Sequence, residues 1–234
     1  MELLRSCLSE WNIDISKEQE NRFFRYFELL IEWNNRINLT AITQKDDVII
    51  KHFVDSLAVL KYTDLTGRSL IDIGTGAGFP GIPLKIMSPS CNVVLLDSLN
   101  KRINFLNEVI SDLGLSDIRC IHARAEDAAR NSGLRERFDV AISRAVSGLN
   151  TLSEYCLPFV NIDGLFISYK SGSIDEELKN GSDAIAKLGG VLDRVEKFGI
   201  PCSDLERSLI FINKTEHISD RYPRKAGIPE KKPL

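Results

Sequence analysis

The stretch from Leu70 to Gly81 constrains the fold more than any other part of the chain. Its sequence, Leu-Ile-Asp-Ile-Gly-Thr-Gly-Ala-Gly-Phe-Pro-Gly, joins an apolar segment to closely spaced glycines. Glycine lets the backbone turn sharply after a strand, and it lets a ligand approach the main chain closely. The stretch therefore predicts a strand, a tight turn and the start of a helix.

Short apolar segments alternate with helical segments from residue 69 onward. Strands are predicted at 70–73, 93–96, 118–121, 140–142 and 165–168, and helices near 81–87, 100–113, 149–157 and 175–188. This alternation is typical of a mostly parallel sheet with helices on both faces, which is an α/β fold. Two further extended segments, 192–198 and 209–212, flank a loop with Pro201 and predict a closing antiparallel hairpin.

The first 64 residues predict helices. Ser16 and Gln19 have the spacing of a capping box, and apolar residues such as Phe23 and Phe27 recur behind them at helical spacing. The asparagine-rich segment 33–40 predicts a loop. We expect a helical cap at 1–64 and a sheet domain at 65–234, packed as one unit.

The composition of the chain limits which class of protein it can belong to. The chain has 234 residues, 43% of them hydrophobic, which suffices for one sizeable core. No apolar run reaches the ~20 residues that span a bilayer. The five cysteines and three histidines are scattered without metal-ligand spacing. We therefore expect a cytoplasmic monomer with no metal and no membrane partner. The net charge of −3 leaves room for a local basic patch in the tail at 221–232.

Polar residues at the predicted strand ends indicate a nucleoside-type cofactor. Asp97 ends the second strand, where an acidic side chain can bind ribose hydroxyls. The third strand leads to Ala125 and Glu126, where an adenine would lie, and the fourth ends at Arg144. The carboxyl ends of strands in open α/β sheets meet at the ligand site, so we expect these residues to lie together.

Two cofactors fit the glycines. The spacing Gly76-x-Gly78-x-x-Gly81 matches the dinucleotide pattern, so an NAD-dependent oxidoreductase is an alternative. Asp72, just before the glycines, favours S-adenosylmethionine, and the remaining chain is short for a second half-fold with a substrate domain. A non-enzymatic RNA-binding module is a third class, against which the intact glycine loop argues.

Several separated segments resemble the RsmG family, also called glucose-inhibited division protein B. Members of that family are S-adenosylmethionine-dependent 16S rRNA guanine-N7 methyltransferases. The matching segments cover nearly the whole chain and lie at 33–42, 52–57, 72–81, 101–106, 124–126, 143–145 and 222–227.

The resemblance implies a class I methyltransferase fold, a Rossmann-like seven-stranded mixed sheet with an N-terminal helical cap. It implies that the substrate is a guanine in the 530 loop of 16S rRNA in the small ribosomal subunit. It also implies that S-adenosylmethionine contacts Gly74, Phe79, Ala125, Glu126 and Arg144. The residue pattern adds three cofactor-binding candidates, namely Asp97 for the ribose, Asp72 near the methionine end, and Gly76.

The chemistry of guanine N7 predicts catalysis by positioning. N7 carries an in-plane lone pair and no proton, so its attack on a sulfonium methyl requires no general base. Alignment of the reactants can supply ~7–11 kcal/mol. We therefore expect no catalytic acid or base, with Arg144 as a positioning residue and His52 as a packed residue between the cap and the sheet. The residues expected to contact RNA are Arg144, Lys101, Arg102, Lys170, Arg224 and Lys225.

Overall fold

A computed structural model describes residues 1–171 and 174–234 and contains one seven-stranded sheet. The strand order is β3-β2-β1-β4-β5-β7-β6. Every predicted strand is present. The strands are β1 (Ser69–Ile73), β2 (Asn92–Asp97), β3 (Ile118–His122), β4 (Phe138–Arg144), β5 (Val160–Ser171), β6 (Gly190–Gly199) and β7 (Glu206–Lys214).

The first five strands run parallel, and β7 pairs antiparallel with both β5 and β6. The parallel sheet and the closing hairpin predicted from the sequence are therefore confirmed. Because β1 to β4 are parallel, their carboxyl ends share one edge of the sheet. Residues at the ends of these strands, such as Asp97 and Arg144, are brought to that edge.

Helices cover both faces of the sheet. The two faces bury different residues, because neighbouring side chains on a strand point in opposite directions. On β1, Leu70 belongs to one buried cluster and Ile71 to the other. The helices that follow β1 are α5 (Gly81–Met87), α6 (Asn100–Asp112), α7 (Ala125–Ala128), α8 (Leu149–Cys156), α9 (Asp175–Lys187) and α10 (Ile228–Lys231).

The N-terminal part is helical, as predicted. It comprises α1 (Glu2–Glu10), α2 (Lys17–Ile37), α3 (Lys45–Val48) and α4 (Asp55–Leu57), with a π-helical turn at Ile49–Val54 and a 3₁₀ turn at Ala58–Lys61. The capping box is confirmed, because Ser16 Oγ accepts from the Gln19 amide and Gln19 Oε1 accepts from the Ser16 amide.

The loop predicted at 33–40 is wrong over residues 33–37, because α2 continues to Ile37. Trp33 and Ile37 pack against the core, so the apolar period of the helix extends through the asparagines. Asn34 Oδ1 accepts from the amides of Leu39 and Thr40 at 2.6 and 2.8 Å, which caps the end of the helix. Here an asparagine terminates the helix from within its last turn.

The helical N-terminal part and the sheet share one buried cluster. The ring of Tyr26 lies 5.6 Å from Phe53 and 5.4 Å from Phe79, and its hydroxyl donates to the carbonyl of Ala77. The helices thus pack against the glycine turn after β1. The division at residue 64, between the turn ending at Lys61 and β1, stays a prediction. Among the described residues, no helix combines the length and apolar character needed to cross a bilayer.

Close packing at Gly81 leads to a testable expectation about stability. A Cβ atom at Gly81 would lie 2.4 Å from Leu95 Cδ2 and 2.9 Å from Asp72 Oδ2. Gly81→Ala should therefore lower the free energy of unfolding by about 1–3 kcal/mol, because the buried side chains of Leu95 and Asp72 must shift to make room. Urea unfolding measures this. Gly199→Ala, where nothing lies within 4 Å, is the control, and equal losses in the two variants would contradict the packing argument.

Candidate active site

The turn after β1 is built around three glycines in left-handed conformations. Gly74, Gly76 and Gly78 have φ values of +70°, +62° and +96°, which other residues adopt only with strain. Asp72 connects this turn to the start of α5. Its Oδ2 accepts from Thr75 Oγ at 2.6 Å and from the amide of Gly81 at 2.9 Å.

Asp72 carries a buried oxygen that lacks a protein partner. The side chain is fully buried, and among the described residues its Oδ1 has no hydrogen-bond donor. Burial raises the pKa of this carboxyl to about 6, because desolvation opposes the charge. An unsatisfied buried carboxylate oxygen is costly, so the site suits a ligand that brings a donor or a cation.

Asp97 joins the glycine turn to α6. It lies at the end of β2 and is 3% exposed. Its Oδ2 accepts from the amide of Gly76 at 2.9 Å and from Arg102 at 3.2 Å, and its Oδ1 accepts from the amide of Leu99 at 2.9 Å. Arg102, expected to contact RNA, is therefore paired with a carboxylate beside the glycine turn.

A cleft of about 160 Å³, which we call the glycine-loop cleft, opens beside this turn. It brings together four of the residues predicted to bind a cofactor, namely Gly74, Asp97, Ala125 and Glu126. Its remaining walls are formed by Ile73, Leu96, Ser98, Ala123, Arg124, Val146, Tyr155 and Glu230. The other four candidates, Asp72, Gly76, Phe79 and Arg144, do not line it.

The C-terminal segment forms part of the same cleft. Glu126 is 5% exposed, and its Oε1 accepts from the amide of Gly227 at 2.8 Å. Glu230, on the short helix that follows, also lines the cleft. The segment 222–227 thus contacts a residue of the glycine-loop cleft through the amide of Gly227.

Val146 covers the glycine turn. A Cβ atom at Gly74 would lie 2.7 Å from Val146 Cγ2, so the valine occupies the space directly above the glycine. The cleft is smaller than the ~300–1,000 Å³ of typical small-molecule sites. Val146 therefore limits the space over Gly74 at one wall of the cleft.

A second cavity of about 440 Å³, which we call the basic cavity, lies on the other side of the segment after β4. Arg144 and Ala145 line the basic cavity, whereas Val146 lines the glycine-loop cleft. The walls of the basic cavity carry four cationic side chains and two carboxylates. The residues that line it are Lys51, His52, Asp55, Arg144, Ala145, Tyr169, Lys170, Ser171, Glu177 and Arg207. Such a surface suits an anionic ligand that also offers hydrogen-bond donors.

Arg144 is held firmly between the helical cap and the sheet. Its side chain is 13% exposed, and its NH1 lies 2.8 Å from Asp55 Oδ2. The guanidinium carbon lies 5.3 Å from the centre of the Phe79 ring, a cation–π distance. Asp55 Oδ1 also lies 3.4 Å from Nε of Arg207. Asp55 therefore holds two arginines in the wall of the basic cavity.

His52 is packed and uncharged. Its ring stacks on Phe79 at 4.5 Å, and its Nε2 lies 2.8 Å from Thr40 Oγ. Burial and the nearby Arg144 lower its pKa to about 3. The side chain packs between the cap and the glycine turn while one edge lines the basic cavity. The π-helical turn that carries His52 is a type of irregularity often found at functional sites.

Sequence reasoning missed Arg207 and Glu177. Arg207 lies on β7, opposite Ser171 of β5, and Glu177 lies in the first turn of α9. Arg207 lies on an antiparallel strand, so its position beside the end of a parallel strand could not be predicted. Glu177 comes after the parallel strand β5, but it lies beyond the strand end, in the first turn of the next helix. Within the described ranges, no group of His, Cys, Asp and Glu is arranged to hold a metal ion.

The basic residues expected to contact RNA differ in how available they are. Lys101 and Lys225 are exposed. Lys170 is 12% exposed and donates to the carbonyl of Ser147 at 2.8 Å. The guanidinium of Arg224 pairs with the fully buried Glu154 at distances from 2.6 to 3.1 Å. The phosphate contact expected of Arg224 stays a prediction that this geometry does not favour.

Comparison with known families gives one match over most of the chain. Residues 19–209 match GidB, described as rRNA small subunit methyltransferase G. A curated protein named "Ribosomal RNA small subunit methyltransferase G" from Desulforamulus reducens is 51% identical over 99% of this chain and 97% of its own length. A protein of the same name from Lachnoclostridium phytofermentans is 52% identical over 97% of this chain and 94% of its own length.

Solved structures agree on the fold. M. jannaschii TYW2 in complex with AdoMet superimposes with a TM-score of 0.56 at 16% identity, covering 74% of this chain and 79% of that one. A putative RNA methyltransferase from Pyrococcus horikoshii gives 0.52 at 14% identity, covering 69% and 83%. The sheet is therefore that of the class I S-adenosylmethionine-dependent methyltransferases, as the resemblance implied.

Proposed function

Because this chain belongs to the GidB family of small-subunit rRNA methyltransferases, we propose that it transfers a methyl group from S-adenosylmethionine to guanine N7 in the 530 loop of 16S rRNA. The observation that carries the proposal is the pair of cavities on either side of the segment after β4. One cavity has the acidic and glycine residues of a nucleoside site, and the other is lined by four cations. Neither an NAD-dependent oxidoreductase nor a non-enzymatic RNA-binding module accounts for family membership together with both cavities.

S-adenosylmethionine would supply an electrophilic methyl group on a sulfonium. We assign its ribose to Asp97 and its adenine to Ala125 and Glu126, which line the glycine-loop cleft. The unpaired Oδ1 of Asp72 fits the methionine ammonium, and Gly74 and Gly76 let the main chain approach closely.

The cofactor contacts that the resemblance implies for Phe79 and Arg144 remain predictions, because neither residue lines the glycine-loop cleft. The two side chains are stacked on each other at 5.3 Å. We assign Arg144 to the wall of the basic cavity and Phe79 to the support of its guanidinium. The cleft admits the methionine end when Val146 leaves the space above Gly74.

Transfer to N7 needs alignment, since the nitrogen has a free lone pair. His52 fits this scheme, because a pKa of about 3 makes it a poor base near neutrality. Arg144 and Asp55, fixed in the wall of the basic cavity, would hold the guanine against the cofactor. Fixing reactants in this way can supply ~7–11 kcal/mol of the barrier.

The test uses small-subunit rRNA that lacks the modification. We expect incubation with labelled S-adenosylmethionine to place one label on a guanine of the 530 loop. Substrate carrying 7-deazaguanine at that position should take up no label, since it lacks the nucleophilic nitrogen. A label on another atom or another nucleotide would overturn the assignment.

The raised pKa of Asp72 predicts that cofactor affinity depends on pH. A cationic ammonium binds the charged carboxylate, so affinity is lost as pH falls through the pKa of about 6 in the free protein. Calorimetry with S-adenosylhomocysteine should show Kd rising about tenfold for each pH unit below that value. Asp72→Asn should bind at least about tenfold more weakly at pH 7.5 and show a flat profile. The same slope in both proteins would exclude Asp72 as the ammonium partner.

A further inference from the structure

Glu177 offers a hydrogen-bond acceptor to the basic cavity. Its side chain is 27% exposed, and its Oε1 lies 2.5 Å from Nζ of Lys170. Lys170 is anchored in turn to the carbonyl of Ser147, in the segment between the two cavities. Oε1 is buried and has no hydrogen bond apart from this ion pair, and among the described residues none is found for Oε2 either. The pair thus presents an ammonium donor directly beside a carboxylate acceptor.

The other carboxylate of the cavity is not available in this way. Asp55 has a side chain that is 8% exposed, and its two oxygens lie at 2.8 and 3.4 Å from Arg144 and Arg207. Removing either contact would leave an arginine unpaired in a mostly buried site, which is costly. Of the two acidic residues that line the cavity, Glu177 is therefore the one with unused acceptor capacity for a ligand.

Guanine alone among the four bases matches this arrangement on its Watson–Crick edge. That edge carries the O6 acceptor, the N1–H donor and the N2–H₂ donor in sequence. A carboxylate accepts two parallel donors well, and an ammonium donates to O6. Adenine and cytosine place an acceptor where guanine has N1–H, and uracil lacks the second donor. The atom to be methylated, N7, lies on the other side of O6 from N1, so it is not engaged by these contacts.

We propose that the basic cavity receives the target guanine unstacked from its RNA, and that Glu177 selects it by accepting from N1–H and N2–H₂ while Lys170 donates to O6. The inference rests on the proposed function, and it names the residues that choose the base. The volume of about 440 Å³ lies within the ~300–1,000 Å³ of small-molecule sites. Lys51 and Arg207 line the same cavity and suit the flanking phosphates. Enzymes that modify bases commonly extrude them in this way.

The test compares two substrates, small-subunit rRNA with guanine and with inosine at the methylated position. Inosine keeps N7, O6 and N1–H but lacks the 2-amino group. The wild-type protein should show kcat/KM about 10- to 100-fold lower on inosine, as expected for a lost bond to a charged acceptor. Glu177→Gln should lose a similar factor on guanine and should discriminate between the two substrates by less than about threefold.

Three controls separate base selection from a structural role. Glu176→Gln, one position earlier on α9 and outside the basic cavity, should keep the wild-type preference. Glu177→Asp retains a carboxylate and should therefore keep part of the wild-type preference for guanine. Affinity for S-adenosylhomocysteine should be unchanged in Glu177→Gln. An unaltered preference for guanine in folded Glu177→Gln overturns the inference, whereas no methylation of guanine by the wild-type protein overturns the proposed function itself.

Discussion

Arg144→Lys is expected to lower the single-turnover rate of methyl transfer about a hundredfold, because small misplacements at a reacting centre cost this much. The guanidinium of Arg144 bonds Asp55 at 2.8 Å and reaches the carbonyls of Lys51 and His52 at 3.4 and 3.5 Å. A lysine ammonium can keep the ion pair, but it cannot contact these carbonyls and the Phe79 ring at the same time as a planar guanidinium does. The end of β4 would lose its fixed position relative to the π-helical turn.

Three measurements distinguish this role from its alternatives. Rates at saturating S-adenosylmethionine report alignment, calorimetry with S-adenosylhomocysteine reports cofactor binding, and urea unfolding reports the fold. We expect a large effect on the first and small effects on the other two, since Asp55 keeps a cationic partner. Arg119→Lys, at an exposed position on β3, is the matched control. A loss of cofactor affinity as large as the loss of rate would make Arg144 a cofactor-binding residue, as the resemblance implied.

The fold was readable from the sequence because its strands and helices follow local apolar patterns. Alternating segments identified all seven strands, and a right-handed α/β arrangement follows from such alternation. The error at Trp33–Ile37 has a specific cause. The asparagines of that segment favour turns in isolation, but Trp33 and Ile37 continue the buried stripe of α2, and tertiary packing overrides the local preference.

The candidate site was readable only in part, for a geometrical reason. Gly74, Asp97 and Glu126 follow parallel strands, whose carboxyl ends must share an edge, and they line one cleft. Arg207 reaches the site from an antiparallel strand, which the strand-end argument does not cover. Glu177 follows the parallel strand β5, but it lies farther beyond the strand end than Gly74, Asp97 or Glu126. Ion pairing is equally invisible in a sequence. The basic tail gave no sign that one of its arginines faces a buried glutamate.

The ion pair between Arg224 and Glu154 leads to the second prediction with a large expected effect, which concerns stability. Arg224→Met should lower the free energy of unfolding by about 3–5 kcal/mol, because it leaves a buried carboxylate without its partner. Glu154 is fully buried, and it accepts from the amide, Nε and NH2 of Arg224 at distances from 2.6 to 3.1 Å. These bonds also raise the pKa of Arg224 above its ordinary value.

Urea unfolding of two further variants tests the cause of that loss. Arg224→Met combined with Glu154→Gln should recover much of the stability, since no charge is then left unpaired in the interior. Lys225→Met, at the exposed neighbouring position, should change stability by less than about 0.5 kcal/mol. If Arg224 instead contacts RNA phosphate, its removal would reduce the salt dependence of RNA binding by about one unit of slope with little change in stability. We expect that signature from Lys225→Met, because its ammonium is exposed while the charge of Arg224 is already neutralised by Glu154.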